Sequence, residues 1–318
     1  MGDLIVLHEP PESRHGRRPA DRPIETLIRF GVFVADKPQG PSSHQVSAWV
    51  RDLLGLPRAG HAGTLDPRVT GVLPIALDNA TRAVDAMLQG DKEYVGVLQL
   101  HQDVEEARVR GMMERFVGEV YQTPPVRSAV KREQRTRTIH ELEPLEFQGR
   151  LALFRVRCES GTYIRTLCND IGEALGVGGH MLDLRRTRTA TFPEADAHSL
   201  LDLKDAFVIW KEEGDEAPLR SVLQPMESLL RHLPSIVVKD TAVDAVCHGS
   251  NLAVPGVSKL SPGIKRGDLV ALMTAKGEGV ALANATLTSD EIVIAKSGLA
   301  ADSKRVLMDP STYPKLWK

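Results

Sequence analysis

The chain has 318 residues, enough at roughly 100–200 residues per domain for about two domains with cores of their own, and too many for a small disulfide-stapled scaffold. Hydrophobic residues make up 42% and charged residues 26%, which excludes a collagen-like or wholly disordered chain. Forty Lys and Arg against 42 Asp and Glu leave a formal charge of −2, so a uniformly basic nucleic-acid coat is excluded while a locally basic groove is not.

Residues 8–23 carry four prolines with His8, Arg14, His15, Arg17, Arg18 and Arg22, a composition that builds no core by itself. The segment over 1–24 reads as an arm, either a disordered leader or an extended stretch laid over another domain or a phosphate backbone. Ser42 and Ser43 then precede Val46, Trp49, Val50, Leu53 and Leu54, the spacing of an amphipathic helix that Gly55 stops. The spacing predicts a strand over 94–100 and a helix through Val109, Met112, Met113, Phe116 and Val117. A β-rich run follows over 151–158, then a helix with Thr162 as its cap and Gly176 as its stop. Irregular alternation of this kind predicts a mixed-sheet α+β domain over 25–230. The pattern weakens between 199 and 234, where a boundary is expected. Beyond it, a short helix capped by Thr241 and strands at 269–274, 280–285 and 291–295 predict a small β-rich module over 235–318, consistent with a barrel.

No stretch reaches the ~20 consecutive apolar residues of a membrane span, and neither terminus reads as a secretion or lipidation signal, so a cytoplasmic chain without membrane contact is expected. Cys158, Cys168 and Cys247 are too scattered for a disulfide framework or a four-ligand zinc site and read as buried apolar residues. His44, His61, His101 and His180 are isolated in sequence, and phosphate-loop, dinucleotide and zinc-protease signatures are missing.

The most informative stretch is His61-Ala-Gly-Thr-Leu-Asp66-Pro-Arg-Val-Thr-Gly71. Proline after Asp66 biases it away from helix, and the flanking glycines permit tight turns, so the carboxylate sits on a stiff, bent loop. Such a loop suits a positioned nucleophile and equally an ordinary turn. Arg165, near the start of the helix after Thr162, can pair with a carboxylate or stay solvated; Tyr94 offers a stacking face and a hydroxyl or is a core tyrosine. Basic residues cluster at Arg127, Lys131, Arg132, Arg135 and Arg137 and again at Arg185, Arg186 and Arg188, expected as phosphate-binding surfaces or solvated faces.

Residues 31–44, the Asp66 loop, Lys92-Glu93-Tyr94, the run Gln122 to Lys131 and the run Ser160 to Leu167 follow, in order and spacing, the motifs of the TruB family of pseudouridine synthases, which the chain resembles from about residue 25 to its end. Within that family it is most similar to dyskerin and its archaeal counterpart, the catalytic subunit of the box H/ACA guide-RNA particle, with a C-terminal module resembling a PUA RNA-binding domain. The resemblance implies conversion of uridine to pseudouridine in rRNA under guide RNA and in tRNA, without metal or organic cofactor. It implies Asp66 as catalytic aspartate, Arg165 as its ion-pair partner, and Tyr94 as the residue stacking on the flipped base and moving protons. It further implies Lys37, His61, Arg127, Lys131, Arg132, Leu184 and Arg185 at the substrate RNA, the 127–137 stretch as a closing loop, and as partners a guide RNA and small accessory proteins of the particle, with a kink-turn-binding protein recruited through the guide. Missing lysine-rich tails favour the archaeal type. A stand-alone synthase acting on the tRNA T-loop and a non-catalytic RNA-binding scaffold are the alternatives that the sequence leaves open.

Overall fold

The computed structural model describes residues 4–9, 13–124 and 133–315, and all statements here concern those residues. Two sheets organise the chain. The larger has ten strands, whose central run is Leu223–Pro225, Gly31–Lys37, Thr70–Leu77, Gly179–Thr189, Lys92–Leu100, Leu151–Cys158, Arg135–Gln148 and Gly118–Gln122. Neighbours in this run are antiparallel except Thr70–Leu77 and Gly179–Thr189, which run parallel.

The strand Gly31–Lys37 is buried on both faces, and its period-two alternation sends side chains into two different cores. Phe33 and Ala35 join the first core with Leu73, Ile75, Phe154, Val156, Ile164 and Leu167. Val32 and Val34 face the other way, where they meet Val72, Ala76 and Met87 together with Ala271, Met273, Leu282 and Leu307 of the C-terminal sheet. One strand therefore ties the two sheets together. Lys92–Leu100, farther along, alternates buried with half-buried positions, so its second face is open.

The helix Ser43–Leu53 starts where the sequence places it, with a capping box: Ser42 accepts from the Gln45 N–H and Gln45 reaches back to the Ser42 N–H. Thr162 does not cap the helix Ile164–Ala174; its hydroxyl donates to the Glu159 carbonyl, and Tyr163 holds the cap position. The region 199–234, where the sequence pattern weakens, opens with a well-formed helix. Ser199 and Asp202 form a second capping box for Leu200–Glu213, Gly214 ends that helix in the left-handed conformation, and Leu203, Ala206, Leu219 and Val222 join the first core.

The second sheet has seven strands in the order Ile5–Val6, Val257–Leu260, Ser235–Val238, Leu269–Met273, Gly279–Ala285, Leu299–Val306 and Leu252–Ala253, with its own core. The strand expected at 291–295 is instead the helix Ser289–Ile294. Thr288 and Glu291 cap it reciprocally, and the strand lies later, at Leu299–Val306. The arm packs on this module. Ile5–Val6 adds to its edge, Lys276 Nζ donates to the His15 and Gly16 carbonyls, and the Arg17 N–H donates to Glu278, a carboxylate also held by Tyr313 and Thr274.

Gly71 sits at the parallel junction opposite Arg186 with φ +102°, and a Cβ there would lie 2.2 Å from the Arg186 carbonyl oxygen. Gly71→Ala is accordingly expected to lower stability by about 1–3 kcal/mol, read as a drop of several degrees in thermal midpoint. An unchanged midpoint would contradict the close approach.

Candidate active site

Asp66 lies on the loop between the strands Ala59–His61 and Thr70–Leu77. The Val69 N–H donates to the Asp66 carbonyl and closes the turn that the Asp-Pro pair foreshadows. The rest of the loop is held from outside. Lys37, fully buried at the end of its strand, donates from Nζ to the carbonyls of Val69 at 2.7 Å, Pro38 at 3.0 Å and Pro67 at 3.3 Å. Three N–H donors thus meet three acceptors, which is what makes a buried ammonium tolerable. The Gly40 N–H also donates to Pro67, and the Ser43 hydroxyl accepts from the Leu65 N–H at 2.8 Å while donating to the Leu65 carbonyl. Backbone from 65 to 69 is therefore fixed, and the Asp66 carboxylate projects half-exposed from it.

Arg165 stands in the first turn of the helix Ile164–Ala174 and pairs through Nη2 with Asp66 Oδ2. Gln122 sets the start of that helix. Its side-chain amide accepts from the Tyr163 N–H at 2.9 Å and donates to the Tyr163 carbonyl at 3.1 Å. Tyr94 faces Arg186 across neighbouring strands and is largely buried, 9% exposed. Burial pushes its phenol up, offset in part by the Arg186 charge and hydrogen bond, so the hydroxyl keeps its proton at neutral pH. Arg186 is itself buried, with Nε on the Val72 carbonyl at 2.8 Å. Lys92, on the same strand as Tyr94, donates to the Gly90 and Met87 carbonyls, and burial with the nearby Arg186 charge lowers its pKa to about 8. Asp66 and Arg165 thus meet at the surface while Tyr94 lies above a buried cationic layer.

Other residues expected at the RNA fall in different places. Lys37 is buried beneath the Asp66 loop, and burial followed by the Arg186 charge lowers its pKa. Arg185 is held by Asp36 in a bidentate pair at 2.9 and 3.0 Å and by Glu194 at 2.5 Å, so it is not free to bind phosphate. Arg188 pairs with Glu93 at 3.3 Å. Arg185, Arg186 and Arg188 thus do not form one unpaired basic surface, because Arg186 is turned into the core and acidic neighbours hold the other two. Leu184 is buried opposite Gly96, on the face that carries Tyr94 and Arg186. Arg127, Lys131 and Arg132 lie outside the described residues; Arg135 and Arg137 belong to the strand Arg135–Gln148.

His61 lies beside His44, with ring centroids 4.8 Å apart, so two histidines isolated in sequence form a pair in space. Burial, with smaller contributions from His44 and Arg186, lowers its pKa to about 4. The three cysteines are free and buried. Among the described residues no group of three or more His, Cys, Asp or Glu side chains is placed to hold a metal ion, and no helix is long and apolar enough to cross a membrane. Sequence reading named Gln122, Ser43 and Arg186 without foreseeing the roles the structure gives them, in holding the Tyr163 backbone, the Leu65 backbone and the floor beneath Tyr94.

Residues 51–164 match the model of the TruB family pseudouridylate synthase N-terminal domain, 165–231 that of the tRNA pseudouridylate synthase B C-terminal domain, 234–307 the PUA domain and 7–47 the DKCLD domain. The "Probable tRNA pseudouridine synthase B" of Methanopyrus kandleri is 55% identical over 96% of this chain and 90% of its own length. That of Methanocaldococcus jannaschii is 53% identical over 99% and 94%. Among solved structures, a Cbf5-Nop10-Gar1 complex superposes with TM-score 0.95 at 51% identity over 99% of this chain and 96% of that one. An H/ACA RNP bound to a substrate RNA containing 2'-deoxyuridine superposes with TM-score 0.93 at 49% identity, covering 99% and 97%.

The His61 shift fixes the sign of a pH effect. Its folded pKa lies below the unfolded value near 6.5, so its contribution is fully present above about pH 6.5 and is lost as pH falls toward 4. His61→Gln should remove about 1–2 kcal/mol of the stability loss between pH 7 and 4.5, the figure being discounted for partial exposure. Thermal unfolding at both pH values checks it, and identical acid sensitivity in variant and parent would contradict it.

Proposed function

Since this chain belongs to the TruB family of pseudouridine synthases, we propose that Asp66 is the group acting on the target uridine, with Arg165 aiming its carboxylate and Tyr94 moving protons at the base. The observation that carries this reading is the Asp66–Arg165 pair itself, made between residues 99 apart in sequence with both backbones separately pinned. Membership of a family of synthases, to which this geometry conforms, sets the binding-only alternative aside.

Isomerisation breaks the bond between uracil N1 and the ribose, turns the base, and joins C5 to the same ribose carbon. A carboxylate beside that bond serves as nucleophile or base, and a neighbouring guanidinium keeps it ionised. One proton leaves C5 and one arrives at N1, and the neutral phenol of Tyr94 is suited to that traffic. The target must leave its helical stack first, at a cost of a few kcal/mol. Stacking on Tyr94 offsets about 1–3 kcal/mol of that cost.

The RNA is rRNA selected by a guide RNA, and tRNA. Likeness to a structure named as an H/ACA RNP with substrate RNA supports the guided reading, and relatives named tRNA pseudouridine synthase B support the second substrate. The partners follow: guide RNA docked on the C-terminal module, small accessory proteins of the particle such as the Nop10 and Gar1 named with the structural relative, and a kink-turn-binding protein recruited by the guide. The chain works in the cytoplasm.

Asp66→Asn should reduce pseudouridine formation by at least about 10²–10⁴-fold on every substrate, and Tyr94→Phe should slow turnover while leaving RNA affinity intact. Nucleoside analysis of tRNA and of an rRNA fragment, each with and without guide RNA and accessory proteins, checks both. Wild-type turnover by Asp66→Asn contradicts the assignment, and product on rRNA that ignores the guide contradicts the guided reading.

A further inference from the structure

We propose that Arg186 is a positioning residue for the isomerisation: its buried guanidinium fixes the Tyr94 hydroxyl and stabilises the phenolate that forms while a proton passes from C5 of the uracil to N1. This inference rests on the synthase reading above and names a further residue for the same site.

Three buried cations, Lys37, Lys92 and Arg186, lie close enough together that the Arg186 charge acts on both lysines. Backbone satisfies two of them: Lys37 meets three carbonyls and Lys92 two. Arg186 differs. It is 1% exposed, the bulkiest fully buried side chain among the described residues, yet its Nε meets only the Val72 carbonyl and its Nη2 has no hydrogen-bond partner. Among the described residues no carboxylate pairs with it, and the side chain that hydrogen-bonds it and gains the opposite charge on ionising is Tyr94. His61 and the Cys158 thiol, the other titratable groups nearby, are uncharged at neutral pH. An arginine does not escape burial by shedding its proton, so an uncompensated positive charge stands beside the Tyr94 hydroxyl.

The position of Arg186 is fixed from three sides. It stands opposite Tyr94 in register on the neighbouring strand. On its other flank it faces Gly71, where a Cβ would lie 2.2 Å from the Arg186 carbonyl oxygen and 2.9 Å from its nitrogen, so the two backbones approach as only glycine allows. Its guanidinium reaches the loop of the carboxylate as well: a Cβ on Gly63, three residues before Asp66, would lie 3.2 Å from Nη1.

The chemistry has a place for that charge. Once C5 is joined to the ribose, N1 and C5 flank the same ring carbon, C6. The Tyr94 phenol gives its proton to N1 and keeps the O–H pair as phenolate. The phenolate then takes the proton from C5, the C5–H pair forms the C5–C6 double bond, the N1–C6 double-bond pair settles on nitrogen, and the phenol is restored. No other donor or acceptor is needed. Burial opposes the phenolate and the Arg186 charge and hydrogen bond favour it, so the guanidinium acts where charge develops and costs no reorganisation at that moment.

The test is a double-mutant cycle. Single-turnover rates at saturating RNA are measured for the parent chain, Arg186→Gln and Arg186→Lys, each with Tyr94 intact and combined with Tyr94→Phe, alongside RNA affinity and thermal midpoint. With Tyr94 intact, Arg186→Gln should be at least about tenfold slower, the scale of one charge-assisted hydrogen bond, at RNA affinity within about twofold of the parent. Arg186→Lys keeps the charge but does not span Val72 and Tyr94 together, and should fall between the two. Combined with Tyr94→Phe, neither should cost more than about a further twofold, because the hydroxyl through which Arg186 acts is gone. Parent rates for either variant, or equal fold losses with and without the Tyr94 hydroxyl, overturn the proposal; if Arg186→Gln does not fold, Arg186→Lys decides alone by the same comparison. A parent chain that forms no pseudouridine, or Tyr94→Phe as fast as the parent, brings down the reading of Tyr94 itself, so the two failures are distinguishable.

Discussion

The site depends on one buried ammonium. Lys37 ends a strand that is packed on both faces, and its Nζ gathers the carbonyls of Pro38, Pro67 and Val69 into one cluster. An amine in that position costs desolvation, which its lowered pKa reports, and only a full set of acceptors offsets the cost. The Asp66 loop cannot relax without stripping the ammonium of its partners. The carboxylate proposed to act on the target base is thereby held ready before RNA arrives, which is where preorganisation contributes most.

The same logic runs outward through the fold. Gly31–Lys37 and Thr70–Leu77 bury alternate side chains in two cores, so the strands that position Asp66 are also those that bind the C-terminal module. The helix bearing Arg165 is set by Gln122 from the far edge of the sheet, next to the segment expected to close on RNA. The C-terminal module and the strands that carry the proposed site at Asp66 share one continuous packed body, because Val32 and Val34 are buried in a core that both contribute to.

Much of this was legible in the sequence. The α+β class, the strand near Tyr94 and the helix after Ser42 follow from periodicity and capping chemistry. The Asp-Pro turn announced a bent loop, although its role came from the family motif rather than from spacing. Misses cluster where a short capping box was overlooked: Thr288 with Glu291 makes a helix of an apolar run that resembles a strand, and Ser199 with Asp202 starts a helix in the stretch where the pattern weakens, ahead of the junction between the matched domains at 231 and 234. Charge clusters misled for another reason. Arg185 and Arg186 are neighbours that strand alternation sends to opposite faces, and a register shift between Arg186 and Arg188 parts those two as well, so Asp36, Glu194 and Glu93 hold Arg185 and Arg188 while the core takes Arg186. A strand's neighbours across the sheet cannot be seen in one sequence.

The most direct test of the account is to remove the buried cation and ask which step fails. Lys37→Met, shown to be folded by thermal unfolding, should bind substrate RNA within about twofold of the parent yet form pseudouridine at least about a hundredfold more slowly in single turnovers at saturating RNA, the scale on which small misplacements cost rate. Weakened RNA binding with an undiminished rate in the bound complex would contradict it, because Lys37 would then be holding the RNA rather than the loop that carries Asp66.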